Sequence, residues 1–256
     1  MILKFIVCFI AGIGAGLGTG FAGMSAAAVI SPMLITFLGV QAYEAVGIAL
    51  ASDVLASAVS AYTYGKNKNL DIRNGIVMMA AVLVFTLVGS FAANKVSDTT
   101  MGSFSVFMTL LLGIKFIVKP VMTTRETMNA VSGKKRIIQS VISGIVVGFI
   151  CGFVGAGGGM MMLLLLTSVL GYELKTAVGT SVFIMSFTAF TGAASHFVIG
   201  GMPDLWCLVF CVASTLLWAR IAARFANKAS AVTLNRATGV VLAVLGLAIL
   251  SVNYLK

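Results

Sequence analysis

The residues of this chain best placed to meet a solute are glycines. Gly155, Gly157, Gly158 and Gly159 fall within five positions, in the middle of an apolar run from Ile137 to Leu170. Glycine in a helix costs about 1 kcal/mol per residue relative to alanine, so the cluster predicts a helix broken at membrane depth. In lipid, interrupted backbone is tolerated only where protein buries it or where it lines a polar cavity. The N–H groups that open a half-helix form an anion site, helped by the helix dipole. Gly157, Gly158 and Gly159 are placed to open such a half-helix. An earlier stretch from Gly12 to Ser25 has the same character: Gly23 corresponds to Gly155, and Ser25 offers a hydroxyl. The competing reading is close helix packing through small residues.

Other polar residues are few, and each has two readings. Thr180 and Ser181 follow Gly179 near the start of an apolar span. They could donate to an anion's oxygens, or bond their own backbone. Asp53 lies well inside a span, where a carboxylate is costly and by default functional. It could carry a coupling proton, hold a cation, or form a structural pair. His196 reads as a membrane-end histidine rather than a proton relay. Cys8, Cys151, Cys207 and Cys211 sit in apolar stretches and read as packing thiols. No cluster of His, Asp, Glu or Cys suggests a catalytic or metal constellation, so neither an enzyme nor a cofactor is expected. Gly155–Gly159 is no nucleotide fingerprint, because an apolar helix precedes it instead of a strand, and no Gly-Lys-Ser/Thr follows.

The elements that must position these residues are membrane helices. Of 256 residues, 60% are hydrophobic and 9% charged, against about 25% charged in a soluble domain. The chain reads as an all-α, multi-pass protein of the cell membrane. Its net charge of +10 is carried by short loops between apolar spans, which is the positive-inside pattern and not a nucleic-acid signal. Met1 to Cys8 could open a signal peptide, but the repeat described next makes this segment part of the fold.

A shift of 132 residues aligns the two halves without a gap from Ile10 to Gly47. It pairs Gly12 with Gly144, Gly16 with Gly148, Gly20 with Gly152, Phe21 with Phe153, Gly39 with Gly171, and Ala45-Val46-Gly47 with Ala177-Val178-Gly179. The expected units are a first repeat at 1–118, a cytoplasmic linker at 119–136 and a second repeat at 137–256. Each repeat opens with a glycine-broken hairpin, with half-helices at 5–17 and 24–38 in the first. Spans follow at 45–64, 74–94, 101–118, 176–199, 204–220 and 237–254, and Arg224, Lys228 and Arg236 fall in the last loop. Trp206 and Trp218 read as anchors near the two ends of one span, and Lys115 as a snorkelling lysine. If both hairpins return to the side they entered, Lys and Arg divide thirteen against three, with Lys115 uncounted; if both cross, they divide ten against six. The positive-inside rule favours the first arrangement. Each half then crosses an odd number of times, so the repeats are inverted, as in many secondary transporters.

The run Gly152-Phe153-Val154-Gly155-Ala156-Gly157-Gly158-Gly159, followed by Ala177-Val178-Gly179-Thr180-Ser181, resembles the TauE/SafE family of sulfite exporter-like membrane transporters. The first-half counterpart is weaker: Ser25-Ala26-Ala27 stands where the second half has Gly157-Gly158-Gly159. The resemblance covers essentially the whole chain. It implies movement of small sulfur-containing anions such as sulfite or sulfonates. The expectation is secondary transport by alternating access, with one repeat rocking against the other. The substrate-binding set is Gly23, Ser25, Gly155, Gly157, Gly158, Gly159, Thr180 and Ser181, with Asp53 as the coupling group. The expected partners are a small anion and the lipid bilayer, with no nucleic acid and no nucleotide. The alternative is a permease or channel for another small solute, or for a cation held by Asp53.

Overall fold

The computed structural model describes residues 1–93, 110–111, 113–154 and 158–254, and among these there are helices but no strand. In chain order the helices are α1 (Ile2–Ala22), α2 (Ala27–Leu38), α3 (Ala42–Lys66), α4 (Ile72–Ala93), a segment at 113–118 (α5), α6 (Arg125–Asn129), α7 (Gly133–Val154), α8 (Gly158–Ser168), α9 (Leu174–Gly200), α10 (Leu205–Lys228) and α11 (Ala231–Tyr254). Five of them, α1, α3, α9, α10 and α11, are long and apolar enough to cross a membrane. Helices α2 and α8 have 12 and 11 residues. At 1.5 Å per residue they reach roughly half the depth of a ~30 Å hydrocarbon core. The outer surface carries Leu87, Phe190, Val198 and many other exposed large apolar side chains, which suits lipid and not water.

Both broken hairpins come back to the end at which they start. Lys4 near the start of α1 pairs with Asp204, which precedes α10, and the Asp204 N–H donates to Glu44 at the start of α3, 2.7 Å away. Helix α2 stops at Leu38, a few residues before α3 begins, so α1 starts and α2 ends at this Lys4 end. At the opposite, linker end, Gln139 of α7 donates to the Val169 carbonyl just beyond α8 at 2.9 Å. Arg136 lies over the Tyr172 ring there, 5.4 Å from its centroid.

Contacts repeat under the sequence shift. A Cβ built on Gly16 of α1 would lie 2.6 Å from the Thr215 carbonyl oxygen and 2.7 Å from the Trp218 Cβ of α10. On Gly148 of α7 it would lie 2.6 Å from the Val82 carbonyl oxygen and 3.0 Å from the Phe85 Cβ of α4. Gly39 and Gly171 close α2 and α8 in the left-handed region at φ 64° and 65°. After them Val40 and Tyr172 donate back six positions to the carbonyls of Leu34 and Leu166, so the two half-helices close in the same way. Gly47 of α3 meets His196 of α9, and Gly179 of α9 meets Tyr64 of α3, so these two matching helices run antiparallel. The most extensive packing joins α4 to α7 and α1 to α10, across the halves. The halves are therefore interleaved and are not two separate bundles.

Several boundaries differ from the sequence reading. Gly14, Gly16, Gly18 and Gly20 remain helical, and the first break spans 23–26 instead of 18–23. Their helix cost is offset by close approach, since Gly12, Gly16 and Gly20 form the face that lets α10 sit against α1. Helix α10 continues eight residues past Arg220, so Arg224 and Lys228 are helical. Arg236 is likewise inside α11. Trp218 consequently lies well inside α10 and not at its end, whereas Trp206 is exposed at its start. The linker is partly folded: α6 lies within it, and α7 begins at Gly133, ahead of the expected boundary. Of the span at 101–118, residues 101–109 and 112 lie outside the described residues.

Candidate functional site

The first break is built from satisfied backbone. Helix α1 ends in the left-handed residue Gly23 at φ 59°. The last turn and the break would leave carbonyls bare inside the membrane, and four hydroxyls from four helices take them. Tyr64 of α3 donates to the Gly20 carbonyl at 2.9 Å, and Thr238 of α11 to that of Phe21 at 3.2 Å. Ser181 of α9 donates to the Gly23 carbonyl at 3.2 Å, and Thr19 of α1 to that of Met24 at 2.9 Å. This meets the rule that every buried polar backbone group needs a partner where water is absent.

The N–H side of the same break faces a carboxylate. Asp53 of α3 is 1% exposed and accepts the Ser57 hydroxyl at 2.8 Å. The Ser25 hydroxyl and the Ala26 backbone N–H, which lead into α2, interact with the same carboxylate. Ser25 also accepts the Ala27 N–H at 3.3 Å. Neither of the two ion pairs among the described residues involves Asp53. The groups that face its carboxyl are the Ser57 hydroxyl and the donors at the start of α2.

The second break meets the first. Gly155 and Gly157 lie outside the described residues, and α8 opens at Gly158 and Gly159. A Cβ on Gly159 would lie 2.7 Å from the Gly23 carbonyl oxygen, 3.0 Å from the Ser25 nitrogen and 2.7 Å from the Met185 sulfur. Met185 of α9 also lies 3.8 Å from the Ser181 hydroxyl. Gly23, Ser25, Gly159 and Ser181 are thus in one place, with Asp53 beside Ser25. Thr180 is not among them: its hydroxyl accepts the Asp71 N–H at 3.1 Å, in the turn between α3 and α4.

Sequence reasoning missed Thr19, Tyr64, Thr238, Ser57 and Met185. The signal for Met185 was available, since the 132-residue shift carries Asp53 onto it. The hydroxyls gave none, because each acts on a backbone group of a remote segment. His196 stacks near Tyr43, with ring centroids 4.1 Å apart, and helps line a cavity of about 160 Å³ at the Lys4 end, with Gln41, Glu44 and Met202. At that end the Lys4 ammonium holds the Asp204 carboxyl below the usual carboxylate range. Cys8, Cys207 and Cys211 are fully buried where α1 packs on α10. Lys115 of α5 reaches the Ser168 hydroxyl at 2.6 Å. Among the described residues no three His, Cys, Asp or Glu side chains could hold a metal ion.

The sequence profile described as "Sulfite exporter TauE/SafE" matches residues 8–249. The chain belongs to the TauE/SafE family. Among this family member's relatives is the probable membrane transporter protein YunE of Bacillus subtilis (strain 168), 24% identical over 226 residues, covering 80% of this chain and 83% of that one. The probable membrane transporter protein YdhB of the same organism is 24% identical over 239 residues, covering 92% and 96%. The probable membrane transporter protein MJ0441 of Methanocaldococcus jannaschii is 28% identical over 204 residues, covering 76% and 71%. No solved structure gives a significant match. With its apolar helices, this TauE/SafE protein is a multi-pass membrane transporter.

Proposed function

We propose that the protein is a secondary transporter of a small anion in the cell membrane, sulfur-containing as the family's description suggests, built from two inverted repeats. The observation that carries this reading is the meeting of the two breaks, where Gly159 lies against Gly23 and Ser25. Helix starts converging near the middle of α3 and α9 make a donor-rich spot for an anion. Asp53 supplies an internal example: at the start of α2, hydroxyl and amide donors already surround a carboxylate. Near the start of α8 the position matching Asp53 is the uncharged Met185, so this half brings no carboxylate of its own. The substrate anion binds on the α8 side, with Gly155, Gly157, Gly158 and Gly159 supplying backbone donors.

Asp53 couples a proton to this anion. Two unit charges about 8 Å apart interact by roughly 2 kcal/mol at an effective dielectric constant near 20. An ionised Asp53 therefore weakens anion binding, and a protonated one permits it. Donor-rich surroundings suit a carboxylate or an anion better than a coordinated cation, which weighs against a cation permease. Because the halves are interleaved, the bodies that rock are the helix pairs α1–α10 and α4–α7, not the two sequence repeats.

The test is uptake and counterflow of sulfite by proteoliposomes, with thiosulfate, sulfate and sulfonates as competitors. A carrier saturates and shows counterflow driven by unlabelled substrate. Linear, non-saturating flux would replace this reading with a channel.

A further inference from the structure

The segment joining the two halves is fastened at three points. Val121 and the side chain of Asn235 of α11 exchange two hydrogen bonds, the Val121 N–H donating at 2.7 Å and its carbonyl accepting at 2.9 Å. Met128 is buried, and its carbonyl takes a hydrogen bond from Arg136 of α7. Between these points α6 presents Arg125, capped at its start by Thr124 and Thr127. The Arg125 guanidinium donates to Glu173 at 2.7 Å and 3.1 Å, to the Lys68 carbonyl at 3.1 Å, and to the Asn69 side-chain oxygen. One side chain thus ties the turn between α3 and α4 to the residue that opens α9.

The tie extends outward. Asn69 donates to Asn227 of α10 at 2.7 Å, whose carbonyl accepts Lys175 of α9 at 2.9 Å. Asp71 accepts the Tyr172 hydroxyl at 2.7 Å. Glu173 also accepts Thr176 at 2.9 Å. The linker-facing ends of α3, α9 and α10 are thus held together, and α9 packs on α8.

We propose that the linker is a latch closing this end of the transporter, with Arg125 as the group that must let go before the linker end opens. The planar fork of arginine can hold Glu173, the Lys68 carbonyl and the Asn69 side chain at once, a geometry that the compact ammonium of lysine does not reproduce. The Arg125 and Glu173 side chains are 43% and 19% exposed. A half-solvated ion pair is weak, which suits a contact that breaks in every cycle. The proposal rests on the alternating-access reading for its role, but not on the identity of the substrate.

The test uses the full chain in nanodiscs: wild type, Arg125→Ala, Arg125→Lys and the exchanged pair R125E/E173R, each with and without Ser25→Cys. Hydrogen exchange is measured over 67–71 and 171–175, and a membrane-impermeant maleimide is applied. With Arg125→Ala, exchange at both turns should rise at least tenfold while the Lys4 end stays unchanged, and Ser25→Cys should label at least tenfold faster. Arg125→Lys should fall between, and the exchanged pair should recover towards wild type. Unchanged exchange and labelling in Arg125→Ala would overturn the latch. Equal loosening at both ends would also overturn it, because Arg125 would then be a general structural support.

Discussion

In the proposed mechanism Asp53 is the residue on which coupling turns. A carboxylate 1% exposed in a membrane helix survives because Ser57, Ser25 and the Ala26 amide face it. Its charge sits next to the junction of the breaks, so its protonation should set how well an anion binds there. Acid on the side of entry neutralises Asp53 and should speed sulfite uptake; alkali should slow it. Asp53→Asn is neutral at every pH, so its uptake should no longer respond to an imposed pH gradient while remaining saturable. Flux measured with and without a gradient checks this. The carboxylate itself was legible in the sequence as a lone acid in an apolar span. Its partners were not, because Ser25 and Ala26 reach it only after the chain has folded back on itself. Thr180 shows the converse: its type and spacing matched an anion donor, yet it supports the turn at Asp71.

At the scale of elements, glycine does two different jobs that sequence alone blurred. In α1 and α7, Gly16 and Gly148 keep the helix and admit a neighbour's backbone. At Gly23 the φ of 59° ends the helix, where a side chain would cost about 1–2 kcal/mol in backbone strain. Both kinds fall in one glycine-rich run, so the run located the break only to within a turn or two. Gly148→Leu should wedge α7 away from α4, costing about 1–3 kcal/mol as overpacked contacts do. Gly16→Leu should do the same between α1 and α10. Thermal unfolding in detergent should fall for both, whereas Gly133→Leu, with open space around it, should leave the midpoint in place.

For the molecule as a whole, the repeat and the distribution of charge carried most of the information. Thirteen basic residues assigned to one side implied hairpins that return, and the Gln139–Val169 and Lys4–Asp204 contacts place the hairpin ends accordingly. The interleaving of the halves was hidden, because a repeat in sequence does not say which copy's helices pair. That pairing, α1 with α10 and α4 with α7, is a property of tertiary packing between small-residue faces. The proposed orientation puts the linker in the cytoplasm. A cysteine at Ser132 should therefore label only from the cytoplasmic side and one at Met202 only from outside. Labelling of both from one side would overturn the topology.

The proposed transport cycle depends most on an anion resting at the start of α8, in the place that the first half fills with its own carboxylate. Met185 tests it with a change of charge alone. Met185→Asn and Met185→Asp have nearly the same shape, and only the second adds a negative charge beside Gly159 and Ser181. Saturable sulfite counterflow in proteoliposomes should persist in Met185→Asn. In Met185→Asp the half-saturating concentration should rise by at least roughly 30-fold at neutral pH, since a charge this close repels by about 2 kcal/mol or more. Equal counterflow by the two variants would contradict an anion at that position.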